Sequence, residues 1–326
     1  MDLRLALHEL AGSQRLAAGT ARRLEALAGF HDEPPALARR LPVGVAVLAA
    51  ALGGLGLVFW IAANWDGLGR AGRFALLQGA VVLACAGAWW RPALRVPLGL
   101  LALLGIGGLF AFFGQTYQTG ADPWQLFALW AALALPLCLG VRSDVLWAPF
   151  ALVAMTAVSL WIFAHTGHRW RLEPDDLGAH LAGWASALAL VAALHPAGRR
   201  LTGAGDWALR SALTLALVLV CTSGLTALFL SRSLPLYAAA LAVLALGAVL
   251  LAWPAAFDLY GLSAVALGLN VLLVAGLARW LSKQLSHSDG IVALMFVGAA
   301  AAGLLALTVT GVLKLARRHA LAREAA

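Results

Sequence analysis

The sequence predicts an all-α fold: a polytopic helical membrane protein of about ten transmembrane helices, preceded by a short cytoplasmic helical segment. Three observations carry this. Of 326 residues, 62% are hydrophobic and 12% charged, where a soluble chain carries about a quarter charged. The mean hydropathy is +0.87. Apolar runs of roughly 20 residues, the length that crosses a hydrocarbon core, recur from about residue 43 towards the C-terminal end. Segments of about ten residues with alternating polarity, the mark of a membrane β-barrel, are absent.

Residues 1–41 form the one polar stretch of any size. In LALHELAGSQRLAAGTARRLEALAG, Leu7, Leu10, Leu24 and Leu27 recur at three-residue spacings around a Gly19-Thr20 break. Gly stops helices and Thr caps their starts, so the pattern predicts two short amphipathic helices. His31-Asp32-Glu33-Pro34-Pro35 then reads as a linker. The polar opening also leaves no place for a signal-peptide charged region, so no cleavable leader is expected. Two helices this short lack a third to build the core of a DNA-binding module. The expectation is a self-folded cap, or a surface for a membrane-protein partner.

Ten spans are expected at 43–63, 74–90, 96–113, 123–140, 145–164, 177–194, 207–230, 235–253, 259–281 and 290–313, making 42–313 a transmembrane bundle and 314–326 a basic tail. Of the 23 Lys and Arg residues, 16 then fall on the side of the N-terminus. Positive charge resists translocation, so both termini are expected in the cytoplasm. The same bias accounts for the net charge of +8 without invoking nucleic acid. Gly-rich stretches inside the spans, LGGLGL at Leu52 to Leu57 and LGIGGL at Leu104 to Leu109, predict close helix packing. Pro136 and Pro149 are expected to kink the fourth and fifth spans.

This topology sends a set of polar residues to one membrane face. The first run ends in FWIAANWDGLGR, with Asn64, Trp65 and Asp66. The third ends in FFGQTYQTGADPW, with Gln115, Tyr117, Gln118, Asp122 and Trp124. Gln78 and His180 are expected one turn inside neighbouring spans, and the loop HTGHRWRLEPDD adds His165, His168, Glu173, Asp175 and Asp176. Two readings stand. Trp and Tyr favour the headgroup level, while Asn, Asp and Gly cap helix ends. Alternatively, the uncharged run Gln-Thr-Tyr-Gln lines a polar recess on the extracytoplasmic face. His165 and His168 lie at loose metal-ligand spacing within what reads as a solvated loop, and no metal or other cofactor is expected.

Within the spans, no Asp, Glu, Lys or Arg falls near the midplane. Ion-coupled pumps keep such residues because the coupling ion must bind there. Asn270 is the one strongly polar side chain at that depth, and a lone Asn more often bridges helices than binds a solute. Cys85, Cys138 and Cys221 each sit within an apolar run without CxxC spacing, which fits packing residues better than a disulfide framework or a zinc site.

Three motifs together, LAAGTARRLEAL, IAANW and GQTYQTGADPWQLFALWAALALP, resemble the family catalogued as domain of unknown function 2157, over roughly residues 1–150. The resemblance implies a multi-pass bacterial inner-membrane protein and brings no activity or catalytic residues with it. The expected function is a non-enzymatic envelope or accessory protein with a polar recess, its partners the bilayer and a membrane protein met through the N-terminal segment or a bundle flank. A transporter or channel for an uncharged or weakly polar solute is the alternative, followed by a membrane enzyme acting on a lipid-linked substrate.

Overall fold

The computed structural model describes residues 10, 13–14, 18–27, 35–63, 69–117, 120, 122–166, 176–231, 233–254, 256–284 and 290–324. Asn64, Trp65, Asp66, Gln118, His168, Glu173 and Asp175 lie outside them. The chain divides into two units, residues 1–49 and 50–326.

In the first unit, α1 covers Ala18–Leu27. It takes Gly19 and Thr20 into its first turn, where the sequence predicts a break. Earlier, the Gln14 amide donates to the Leu10 carbonyl at 3.0 Å, a single helical turn. Helix α2 runs Pro35–Ala63, so the last Pro of the expected linker starts it. Pro suits a first turn because its missing N–H has no intrahelical acceptor there. The unit boundary falls inside this helix.

The second unit continues with α3 Arg70–Trp90, α4 Arg95–Tyr117, α5 Pro123–Val141, α6 Asp144–His165, α7 Leu177–Leu194, the short α8 Arg199–Thr202, α9 Asp206–Thr226, α10 Leu234–Ala252, α11 Leu259–Gln284 and α12 Gly290–Glu324. Among the described residues, nine helices are long and apolar enough to cross a membrane. They match the second to tenth expected spans; the first expected span lies within α2. Exposed leucines such as Leu83, Leu246 and Leu307 cover the bundle. A helix apolar all round stays folded in hydrocarbon because its backbone bonds close within it. Helix α12 continues unbroken through the expected tail to Glu324.

The glycines show which of the expected close approaches are made. A Cβ at Gly105 would meet Val81 of α3 at 2.7 Å, and one at Gly107 would fall on the indole of Trp130 in α5. That indole donates to the Leu103 carbonyl at 2.9 Å, so LGIGGL seats two neighbours at once. In LGGLGL only Gly54 is used in this way, where a Cβ would lie 3.3 Å from Leu101 of α4, while Gly53 and Gly56 face open space. Helix α9 is the centre of the second half. Ala208, Ala212, Ala216, Val220 and Gly224 are all buried on it, a four-residue spacing that forms one stripe and lets α6, α7, α10 and α11 close around it. Trp184, Leu236, Leu244 and Leu272 complete that core.

Short connections pair neighbouring helices antiparallel, so their ends alternate between two membrane levels. At the level of Gly203, one carboxylate organises the connections. Asp144 opens α6 and accepts from the amides of Gly205, Trp207 (3.2 Å) and Ala208 (3.4 Å) at the start of α9. One turn on, the Trp147 indole donates to the Thr202 carbonyl at 2.8 Å. Gly203 has φ of +64° and lies against Arg142, itself left-handed at φ 54°; neither Gly203 nor Gly205 has room for a side chain. Arg199 pairs with Asp206 across the same turn. Asp144→Ala should cost about 2–3 kcal/mol, the scale of charge-assisted hydrogen bonds left unmade. Asp144→Asn, which keeps one acceptor oxygen, should cost less. Thermal unfolding in detergent measures both, and equal losses would show that a neutral acceptor oxygen contributes nothing without the charge.

Candidate functional site

The opposite level, that of Gly120, holds the end of α4, the start of α5, the end of α6 and the start of α7. Gln115 is exposed on the last turns of α4 and Tyr117 ends that helix. Asp122, half-buried, occupies the N-cap position of α5 before Pro123. Gln78 is exposed on α3. Because that helix begins at Arg70, Gln78 sits about 12 Å along it, deeper than the single turn expected.

What the structure brings together is aromatic. Trp161 and His165 are four residues apart on α6, and their rings stack at 4.3 Å. The Trp124 ring of α5 joins them, 6.1 Å from His165. His165 Nδ1 lies 2.8 Å from the Trp161 carbonyl. A carbonyl requires a donor, so Nδ1 carries the proton in neutral imidazole, and Nε2 is left as an acceptor. Trp124 Nε1 is buried with no acceptor. Among the described residues an indole N–H and an imidazole nitrogen without partners therefore flank one aromatic stack. The Trp161 contribution was missed in the sequence, although its spacing from His165 is that of facing helix residues.

His180 belongs to a different environment. It is 3% exposed, its Nδ1 meets the Asp176 carbonyl at 3.0 Å, and its ring packs edge-on to Trp184 at 6.2 Å. That burial in α7 ties it to the core rather than to the Trp124 stack.

Asn270 lies in the middle of α11, also 94% buried by its 6% exposure, and donates through Nδ2 to the Thr308 hydroxyl of α12 at 2.9 Å. Its Oδ1 has no partner. A side crevice of about 230 Å³ opens beside it, lined mainly by Leu267, Leu305, Val309 and Leu313. A second, apolar slot of about 310 Å³ lies between α7, α9, α10 and α11, with His195 its one titratable lining group. The Cys138 thiol is buried and faces the Leu146 carbonyl at 3.8 Å, and Cys221 would touch a Cβ at Gly268; both pack, as their setting in the sequence implies. Among the described residues no cluster of His, Cys, Asp and Glu has the geometry of a metal site.

The arrangement of apolar helices with polar groups at their ends is that of an integral membrane protein. Residues 8–147 match the model of a family described as predicted membrane protein, domain of unknown function 2157. The match covers the stretch over which the sequence motifs resemble that family and stops at the start of α6. No curated protein and no solved structure matches the chain.

The two indoles give a paired test. Trp124→Phe deletes a buried donor that bonds to nothing, so stability should stay within about 1 kcal/mol of the parent or rise. Trp130→Phe deletes the donor to Leu103 and should lower it by about 1–2 kcal/mol. Thermal unfolding of the two purified variants compares them directly; a larger loss for Trp124→Phe would show that its N–H is bonded in solution.

Proposed function

We propose that the chain is a non-enzymatic accessory protein of the bacterial inner membrane, with both termini cytoplasmic and a polar recess at the Gly120 level facing the extracytoplasmic side. The observation that carries the reading is the unpartnered Trp124 N–H beside His165. A buried donor without an acceptor is costly, and a binding partner that supplies the acceptor removes that cost. The recess candidates read from the sequence are Asn64, Trp65, Asp66, Gln78, Gln115, Tyr117, Gln118 and Asp122. The described helices favour a passive role, since the charged residues among them cluster towards helix ends while the deep amide of Asn270 is spent on a helix–helix bond. The basic residues on the N-terminal side support the orientation.

The second reading, a transporter for an uncharged solute, rests on Asn270 Oδ1, which is free to accept at mid-depth. Two measurements separate the readings. In a background with Cys85, Cys138 and Cys221 replaced by alanine, Gly69→Cys should react with an impermeant thiol reagent added to intact spheroplasts, and Ala197→Cys only after lysis. The reverse pattern overturns the orientation. Vesicles containing the purified protein should show no flux of glycerol or small sugars above protein-free vesicles. Flux that Asn270→Leu abolishes would replace the accessory reading with the transporter.

A further inference from the structure

At the end of α9 the backbone leaves α-helical geometry. Ala227–Ser231 form a π-helical turn, and the Ser233 amide donates back to the Ala227 carbonyl at 2.9 Å. Wide turns of this kind sit at functional sites more often than elsewhere, and irregular backbone at a membrane level is tolerated where it lines a cavity. Here it does. A cavity of about 240 Å³ is bounded by the π turn, the start of α10 and the end of α11, with Ser233, Tyr237, Arg279, Trp280 and Lys283 among its lining.

Ser233 stands at the N-cap position of α10, where a serine hydroxyl ordinarily accepts from the amides of the first turn. Its side chain makes no such bond. The residue is 7% exposed and lines the cavity, and among the described residues its hydroxyl meets no partner, which leaves it open to that space. Pro235, within the first helical turn, contributes no amide to it. From the other side, the Arg279 guanidinium lies 5.7 Å from the Phe229 ring of the π turn. Lys283 follows one turn later. Among the described residues neither cation is paired with a carboxylate. The Tyr237 hydroxyl forms the floor, donating to the Leu272 carbonyl at 2.8 Å over Gly276, where a Cβ would collide with it. Basic residues at the end of α11 would be accounted for by the helix dipole alone. The dipole does not account for an uncapped buried hydroxyl, a π turn and a cavity converging on them.

We infer that this cavity binds a phosphate group, with Arg279 and Lys283 supplying charge and Ser233 Oγ donating a hydrogen bond. A tetrahedral oxyanion matches two cations and a hydroxyl set around one small space. The phosphate can belong to a phospholipid headgroup, whose chains would run down the exposed Phe229, Leu230 and Leu234, or to free phosphate.

The test uses the full chain purified in a zwitterionic detergent, with thermal unfolding followed during titration by dioleoyl phosphatidylglycerol in one arm and by inorganic phosphate in the other. At least one arm should raise the unfolding temperature saturably. Stabilisation by the lipid alone assigns the headgroup as source, and stabilisation by both assigns the phosphate group itself. Arg279→Gln and Lys283→Gln should each raise the half-saturating concentration at least tenfold, and Ser233→Ala severalfold. Lys283 is exposed, so Lys283→Gln should keep the ligand-free unfolding temperature and reports on binding even where Arg279→Gln misfolds. Lys314→Gln, on α12 and outside this cavity's lining, should titrate as the parent does. The inference is overturned by no saturable shift in either arm, or by a Lys283→Gln curve that coincides with the parent's.

Discussion

The bundle is held in register at one membrane level by a single carboxylate. Asp144 is the first residue of α6, yet three amides at the start of α9 converge on it. Helix N-termini expose amides that nothing inside the helix can satisfy, and in or near hydrocarbon water does not reliably replace the missing acceptor. An anion at that place meets both needs, since it accepts the bonds and opposes the positive end of the helix dipole. Asp144 thereby fixes where α9 begins, and α9 carries the small-residue stripe against which α6, α7, α10 and α11 pack. Gly203 and Gly205 are glycines because the turn they form lies directly against Arg142 and Asp144.

Packing elsewhere follows from the absence of a hydrophobic drive between helices already in lipid. Close approach and directed hydrogen bonds replace it. Gly105 admits Val81, Gly107 admits Trp130, and Gly276 admits the Tyr237 hydroxyl. In two of these three cases the admitted side chain also donates to a backbone carbonyl of the facing helix. A glycine thus provides the space, and an indole or phenol uses it to reach an acceptor that is otherwise screened by the helix's own side chains.

The spans were legible in the sequence because length and apolarity are local properties, and nine described helices coincide with nine of the ten runs read from it. The contacts between them were not. Asp144 and Gly205 are 61 residues apart, and an aspartate after a serine reads locally as part of a helix cap. Asn270 stood out as a deep amide, but its partner did not, because Thr308 also bonds to the carbonyls of Leu304 and Leu305 as many membrane threonines do. Polar residues were assigned to a face by topology, which gives depth and not direction: His180 turned inward to Trp184, while His165 joined a stack with Trp161 and Trp124. Helix α1 starts at Ala18, so Gly19 and Thr20 lie in its first turn, where propensity matters least, rather than before it. The unpartnered Ser233 hydroxyl had no sequence signal at all, because a serine before Leu-Pro looks like an ordinary cap.

Helix α12 has an architecture unlike the others. It is 35 residues long, none of its most apolar window is buried, and α11 is its principal neighbour. A rigid rod of that length measures about 52 Å, against a hydrocarbon core of about 30 Å. The rod is therefore longer than the core is thick, and its last turns bear Lys314, Arg317, Arg318 and Arg323. The helices it does not touch close around α9 without it. It packs against α11 with the Asn270 amide as the hydrogen bond that fixes its depth. Helix α12 is thus an outrigger to that bundle, tethered at mid-depth by the Asn270 bond and near its end by the His319 ring on Phe257.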